Sequence, residues 1–218
     1  MANRYTEKRL LENTSDQWNQ WYENIYERSE KKRNPEKYET NLRNLSSIEW
    51  SDKKFEGYSL DLLSFRKSSF NRVTFRDCDL GSTIFTNSTF HNSVFLDCGL
   101  LGTDFSYSRF DNCYFICTKL YGCIFCNTLL EKHSFEDTLI DRCNFHHTQI
   151  DRLFLKYTMI VGCDLSTISG LFTLDEESIA ELDLSTLIRS KGKVHDNLLG
   201  ACGVKVNQRK PLRDLFSE

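Results

Sequence analysis

Every fifth residue from Phe55 to Leu165 is Phe, Leu or Ile, through 23 consecutive positions that begin Phe55, Leu60, Phe65, Phe70 and end Leu155, Ile160, Leu165. Helices repeat every 3.6 residues and strands every 2, so neither accounts for a period of five. A fixed period held this long predicts stacked units, each burying its apolar face against its neighbours. The position two residues earlier is small from residue 68 onward: Ser68, Val73, Cys78, Thr83, Ser88 and Ser93 open a series broken only by His133 and Leu153. A large and a small residue two apart share the inward face of an extended segment. The other three positions of each five are mostly polar, expected to face out or to turn the chain.

These units resemble the pentapeptide-repeat proteins, whose units follow A(D/N)LXX. The central Phe or Leu matches throughout. The first position carries Ser, Thr or Cys where the family prefers Ala, and the second is acidic or Asn only in places such as Asp79, Asp104, Asn144 and Asp164. The resemblance covers about half the chain. It implies an all-β fold, a right-handed quadrilateral β-helix with four five-residue faces per coil. Residues twenty apart would then stack, and the sequence tests this. Leu60, Leu80, Leu100, Leu120, Ile140 and Ile160 form one column; Phe65, Phe85, Phe105, Phe125, Phe145 and Leu165 form the next; Phe75, Phe95, Phe115 and Phe135 form another. Repetition alone does not force aliphatic and aromatic columns apart, but packing like on like does. Almost six coils at roughly 4.8 Å each make a rod about 28 Å long.

Three segments follow: a helical N-terminal flank over 1–44, the β-helix over 45–169 and a helical C-terminal cap over 170–218. In the first, Thr14 and Gln17 can form a capping box. Trp18, Trp21, Tyr22 and Ile25 then lie on one stripe of a helix of about 15–30, a docking face to be covered by the rod or by a partner. The segment Trp18 to Trp21 is similar to the Trp-Asn-x-Trp helix that precedes the repeats in many bacterial pentapeptide proteins. Beyond Gly170 the phase ends. Residues 173–190 read as a helix stopped by Gly192, with a second short helix around Asn197 to Ala201. The run Ser185 to Val204, containing RSKGK, is similar to family tails that lead into signalling or effector domains.

On one face, Val94 and Leu96 flank Phe95, and Tyr114 and Ile116 flank Phe115 one coil on, with Phe154 two coils further. This apolar outward patch is expected to meet the chain's own flanks or another chain. His133 is expected to be a satisfied, partly buried histidine rather than a base. Asp111, Glu131 and Asp151 stack as an acidic column, offset by neighbouring Lys132 and Arg152. Six of the nine cysteines take the small inward position, which makes them core hydrophobes rather than disulfide partners or metal ligands.

A net charge of −3 argues for neither nucleic acid nor membrane, and no apolar run reaches the ~18 residues of a spanning helix. The polar N-terminus and the reduced thiols point to the cytoplasm. No phosphate loop, GxSxG or HExxH is present. A filled coil holds no substrate, so neither enzyme activity, cofactor nor metal is expected. The expected role is a protein-interaction or scaffold module with a protein partner or a second copy, a regulatory component of a bacterial signalling or defence system. The alternative is a DNA mimic that binds DNA gyrase, as some pentapeptide proteins do. A duplex carries one charge per ~1.7 Å, on the order of 16 over such a rod. Residues 51–165 hold 14 acids and 12 bases, which counts against mimicry.

Overall fold

The computed structural model describes residues 2–30, 42–170 and 177–217. From Asn44 to Ser169 the chain winds as a parallel β-coil of about six turns with a strict register of twenty. Asn44, Ser64, Ile84, Asp104, Ile124, Asn144 and Asp164 follow one another up the first wall, wall A. Wall B carries Trp50, Phe70, Phe90, Phe110, Leu130 and Ile150. Wall C carries Phe55, Phe75, Phe95, Phe115, Phe135 and Leu155. Wall D is the aliphatic column, with Leu100, Leu120, Ile140 and Ile160 in direct register.

The columns explain the period. On wall A the rings of Phe85 and Phe105 stack with centroids 5.2 Å apart and planes 4° off parallel. Phe90 and Phe110 on wall B do the same at 4.5 Å, as do Phe95 and Phe115 on wall C. Rings on adjacent walls meet edge to face, as Phe105 and Phe110 do at 72°. Both arrangements suit the quadrupole of a phenyl ring.

Every corner is made the same way. The residue two after each centre, from Asp52 through Gly162, has positive φ. Asn, Asp and Gly tolerate this left-handed region best, and they hold many of these sites: Asp77, Asn87, Asn92, Asp97, Gly102, Asn112, Gly122, Asn127 and Asp137. The small inward residue has a second task besides leaving room. Its hydroxyl donates to the carbonyl of a centre 23 residues earlier, as Thr83 does to Leu60 (2.8 Å), Ser108 to Phe85 (2.6 Å) and Thr148 to Phe125 (2.7 Å). Polar groups at the heart of the rod are thereby satisfied. Cysteine serves there too, Cys123 Sγ lying 2.9 Å from the Leu100 carbonyl. All nine cysteines are free. Burial pushes the Cys113 and Cys163 thiols up to about 12, which keeps them protonated and unreactive.

Helices close both ends. Helix α1 (Arg4–Glu12) is capped by Asn3, and α2 (Ser15–Glu30) begins at the reciprocal Thr14–Gln17 box. At the other end the expected helix over 173–190 is not what forms. Residues 171–176 lie outside the described residues; Ile179–Leu182 is a strand laid parallel on the last coil, and only Leu184–Arg189 (α3) is helical. An open edge of a coil demands hydrogen-bond partners, and this demand overrides the helical pattern. Helix α4 (Asp196–Ala201) follows, and then α5 (Val206–Leu215), a helix beyond those the sequence pattern predicts.

The cap continues the interior by other means. Thr186 is fully buried; its hydroxyl accepts from the Cys163 N–H (3.2 Å) and sits 3.4 Å from the Ile160 carbonyl. In the coils the same two contacts are made by residues such as Ser88, which accepts from Ser68 N–H and donates to Phe65 O. A helical residue thus fills the slot of a further rung. Ser190 accepts from Leu165 N–H, and Asp183 from Gly162 N–H.

Candidate interaction surfaces

The patch on wall C is assembled by the register. Thr74, Val94, Tyr114, Ser134 and Phe154 stack in one outward row, and Arg76, Leu96, Ile116, Glu136 and Lys156 in the other. Val94, Leu96, Tyr114, Ile116 and Phe154 are all half-buried. Ser134 separates Tyr114 from Phe154 and is itself buried, its hydroxyl donating to Glu136. The Tyr114 phenol donates to Asn112 Oδ1, and Asn112 donates to Asn92 across the corner. Among the described residues no hydrogen bond, ion pair or ring contact ties a flanking helix to these five side chains.

The Trp helix is held by its own rod. Trp18 is fully buried, Tyr22 is buried, and Trp21 and Ile25 are half-buried. Trp18 Nε1 donates to Ser59 O at 2.7 Å, and the Tyr22 hydroxyl donates to Asp61 O. Asn19, the Asn of the Trp-Asn-x-Trp segment, makes the most specific contact. Its amide donates to Gly57 O and accepts from Ser59 N–H, both at 2.8 Å. It pairs with the strand edge as a neighbouring strand would, so the unpaired end of wall D is satisfied. The stripe on α2 marked a buried face; the polar residue beside Trp18 gave the only sign of how that face is fixed.

Two other expectations change. His133 is neither partly buried nor satisfied: it is 1% exposed, and neither ring nitrogen has a hydrogen-bond partner. It packs among Phe110, Phe115 and Phe135. Burial holds its pKa down to about 3, so it stays neutral. Asp111, Glu131 and Asp151 do stack, but two of them are met by side chains other than the expected Lys132 and Arg152. Arg109 pairs with Glu131, and His91 with Asp111. Both partners lie on wall B: Arg109 reaches Glu131 diagonally across one rung, and His91 stands directly beside Asp111 in register.

Wall D holds exposed apolar side chains besides the expected patch. Leu101 is 59% exposed, Tyr121 42% and Met159 43%. Beyond them Leu184 and Ile188 of α3 are also exposed. The signal was available, since Leu101, Tyr121 and Met159 flank their centres just as Val94 and Leu96 do. No group of His, Cys, Asp and Glu suited to a metal ion occurs among the described residues. No described helix is long and apolar enough to cross a membrane.

The five-residue repeat, the twenty-residue ladder and the four inner columns define the class of this molecule: a pentapeptide-repeat β-helix with helical ends. No protein-family model and no curated protein matches the chain. Solved structures with a similar coil include HetL, a pentapeptide repeat protein involved in heterocyst differentiation regulation from the cyanobacterium Nostoc. It is 16% identical over 57% of this chain and 61% of its own, with a TM-score of 0.34. A pentapeptide repeat protein of the Arabidopsis thaliana thylakoid lumen is 21% identical over 46% of this chain and 67% of its own, with a TM-score of 0.36. QnrB1, a plasmid-mediated fluoroquinolone resistance protein, is 14% identical over 65% of this chain and 94% of its own, with a TM-score of 0.28.

Proposed function

We propose that the chain is a non-enzymatic protein-interaction module whose rigid rod presents a fixed lattice of side chains to a partner protein or to a second copy of itself. One observation carries the reading. Val94, Leu96, Tyr114 and Ile116 form contiguous apolar surface two rungs deep, and among the described residues no hydrogen bond, ion pair or ring contact fastens a flanking helix to it. Contiguous apolar surface of this kind marks an interaction site. The exposed residues of wall D add to it. The role as a regulatory component of a bacterial signalling or defence system rests on the likeness of the tail alone. The gyrase-binding alternative gains nothing from the surface, where Arg72 pairs with Asp52 and Arg109 with Glu131. Alternating signs do not imitate a duplex.

The test replaces Leu96 and Ile116 together by Arg, with Thr74→Arg on the same wall as control. Light scattering and chemical cross-linking report self-association, and capture from a source lysate reports a partner. Dimer or partner is expected to be lost with the double variant and kept with the control. A chain that stays monomeric and captures nothing, or whose capture ignores the double variant, rejects the reading. Inhibition of purified gyrase in a supercoiling assay would favour the alternative.

A further inference from the structure

The apolar stripe of wall C is bordered along one edge by carboxylates. Asp77, Asp97, Cys117 and Asp137 are the corner residues that follow Arg76, Leu96, Ile116 and Glu136, and all four are exposed with positive φ. The register sets them one rung apart. Among the described residues no ion pair holds Asp77, Asp97 or Asp137. The nearest bases are engaged or stand off: Arg76 lies 3.8 Å from Glu56, Lys156 follows Glu136 on the next rung, and Lys119 stands across the corner on wall D. Desolvation, and then the charges of Asp97, Asp137 and Glu136, push the Cys117 thiol above its ordinary value. The opposite edge of the stripe is neutral, with Asn112 donating to Asn92.

Like charges a rung apart repel, so Asp77 beside Asp97 is a cost to the isolated rod that an outside cation removes. The spacing also says what shape of cation-bearing surface fits. Rungs about 4.8 Å apart nearly match the ~5.4 Å pitch of an α-helix. A helix laid along the rod axis therefore presents one side chain per rung on each of its faces. The three rungs from Asp77 to Asp137, about 14 Å, take up fewer than three of its turns.

We infer that the surface met by this stripe is an amphipathic α-helix of another protein, its apolar face on Leu96 and Ile116 and its Lys or Arg side chains, three or four residues apart, along Asp77, Asp97 and Asp137. The inference rests on the interaction reading above and names the chemistry of the partner.

Fluorescence anisotropy on the full chain tests it with three labelled synthetic helices: a Leu stripe edged by Lys, the same stripe edged by Glu, and a scramble of the first. The Lys helix is expected to bind at least about tenfold tighter than either of the others. Its affinity should fall as salt is raised, and it should shield Cys117, the exposed cysteine of the nine, from alkylation. The triple variant Asp77→Asn, Asp97→Asn, Asp137→Asn keeps residues that suit a left-handed corner, and circular dichroism checks that it folds. It should bind the Lys helix at least about tenfold more weakly. Equal binding of the Glu helix, or full affinity in the triple variant, overturns the inference and leaves the interaction reading standing. If none of the helices binds, the inference falls, and the Leu96 and Ile116 double variant decides the broader reading separately.

Discussion

The middle of the rod and its C-terminal third follow one repeat, yet they are built differently. In the middle, strands are three residues long and end at each corner, as Arg109–Asp111 and Tyr114–Ile116 do. Further on they run through the corners, as Leu129–Glu136 and Gln149–Val161 do. The inward residues differ in the same places. Ser93 and Cys113 stand at one corner of the middle coils; His133 and Leu153 stand at that corner above them, paired in register. Ring stacking weakens with them. Phe95 and Phe115 lie 8° from parallel, but Phe115 and Phe135 lie 33° apart, with His133 edge-on to Phe135 at 4.7 Å. A small inward residue lets the wall turn sharply and lets the rings stack. Where His133 and Leu153 stand instead, the strands run on and Phe135 tilts, although Gln149–Val161 also runs on past the small Thr158.

Breaking the regular region should cost most. Phe105 is fully buried between Phe85 and Phe125 in the wall A stack. Phe105→Ala is expected to lower unfolding free energy by about 3–5 kcal/mol, read from urea midpoints. Phe135→Ala, in a stack already tilted, should cost less. Equal losses would show that the tilt is energetically silent.

Repairing the irregular region should stabilise. His133 buries two ring nitrogens without partners, each costing roughly 1–3 kcal/mol if unrelieved. His133→Leu should therefore raise stability at neutral pH, by about 1–2 kcal/mol. The pH dependence gives a sharper test. Unfolded His133 takes up a proton near 6.5, and the folded residue only near 3. Between those values the unfolded state binds more protons, so stability falls as pH drops from about 6.5 toward 3. The variant should lose that slope; an unchanged slope in urea titrations would refute the buried neutral ring.

The cap has its own weak point in Asp183. Burial opposes its charge, but hydrogen bonds from Ser185, Thr186 and Gly162 outweigh this and hold the carboxyl well below the usual carboxylate range. Asp183→Ala should cost about 1–2 kcal/mol, as lost N-caps do. A group with a lowered folded pKa contributes stability above its unfolded value. The contribution of Asp183 should thus fade as pH falls below about 4, and thermal melts of Asp183→Asn should lack this component. The smallest effect belongs to the corners. Tyr107 is 62% exposed and left-handed. Tyr107→Gly is expected to gain about 0.5–1 kcal/mol in thermal unfolding by relieving that strain.

Much of this architecture could be read along the chain. The wall assignments of Phe85, Phe105 and Leu120 follow from spacing alone. The helix over Ser15–Glu30 follows from the Thr14–Gln17 box and the Trp18–Ile25 stripe. The corner positions were also there to be seen, in the recurrence of Asn, Asp and Gly two residues after a centre. What escaped the reading lies at the ends and edges. The strand at Ile179–Leu182, the bracket that Asn19 makes around Gly57 and Ser59, and the hydroxyl of Thr186 in a further rung all answer to unpaired backbone whose location no local pattern announces. The exposure of Leu101 and Tyr121 likewise depends on which walls the flanks leave uncovered.

The amino-acid order by itself determined the period, the inner columns and the filled interior, because a coil repeats one local packing problem and each unit of five solves it alone. Only the tertiary structure decided how the coil is closed and that His133 sits dry among three phenyl rings. Those outcomes depend on pairing residues with no fixed spacing between them, so periodicity carries no information about them.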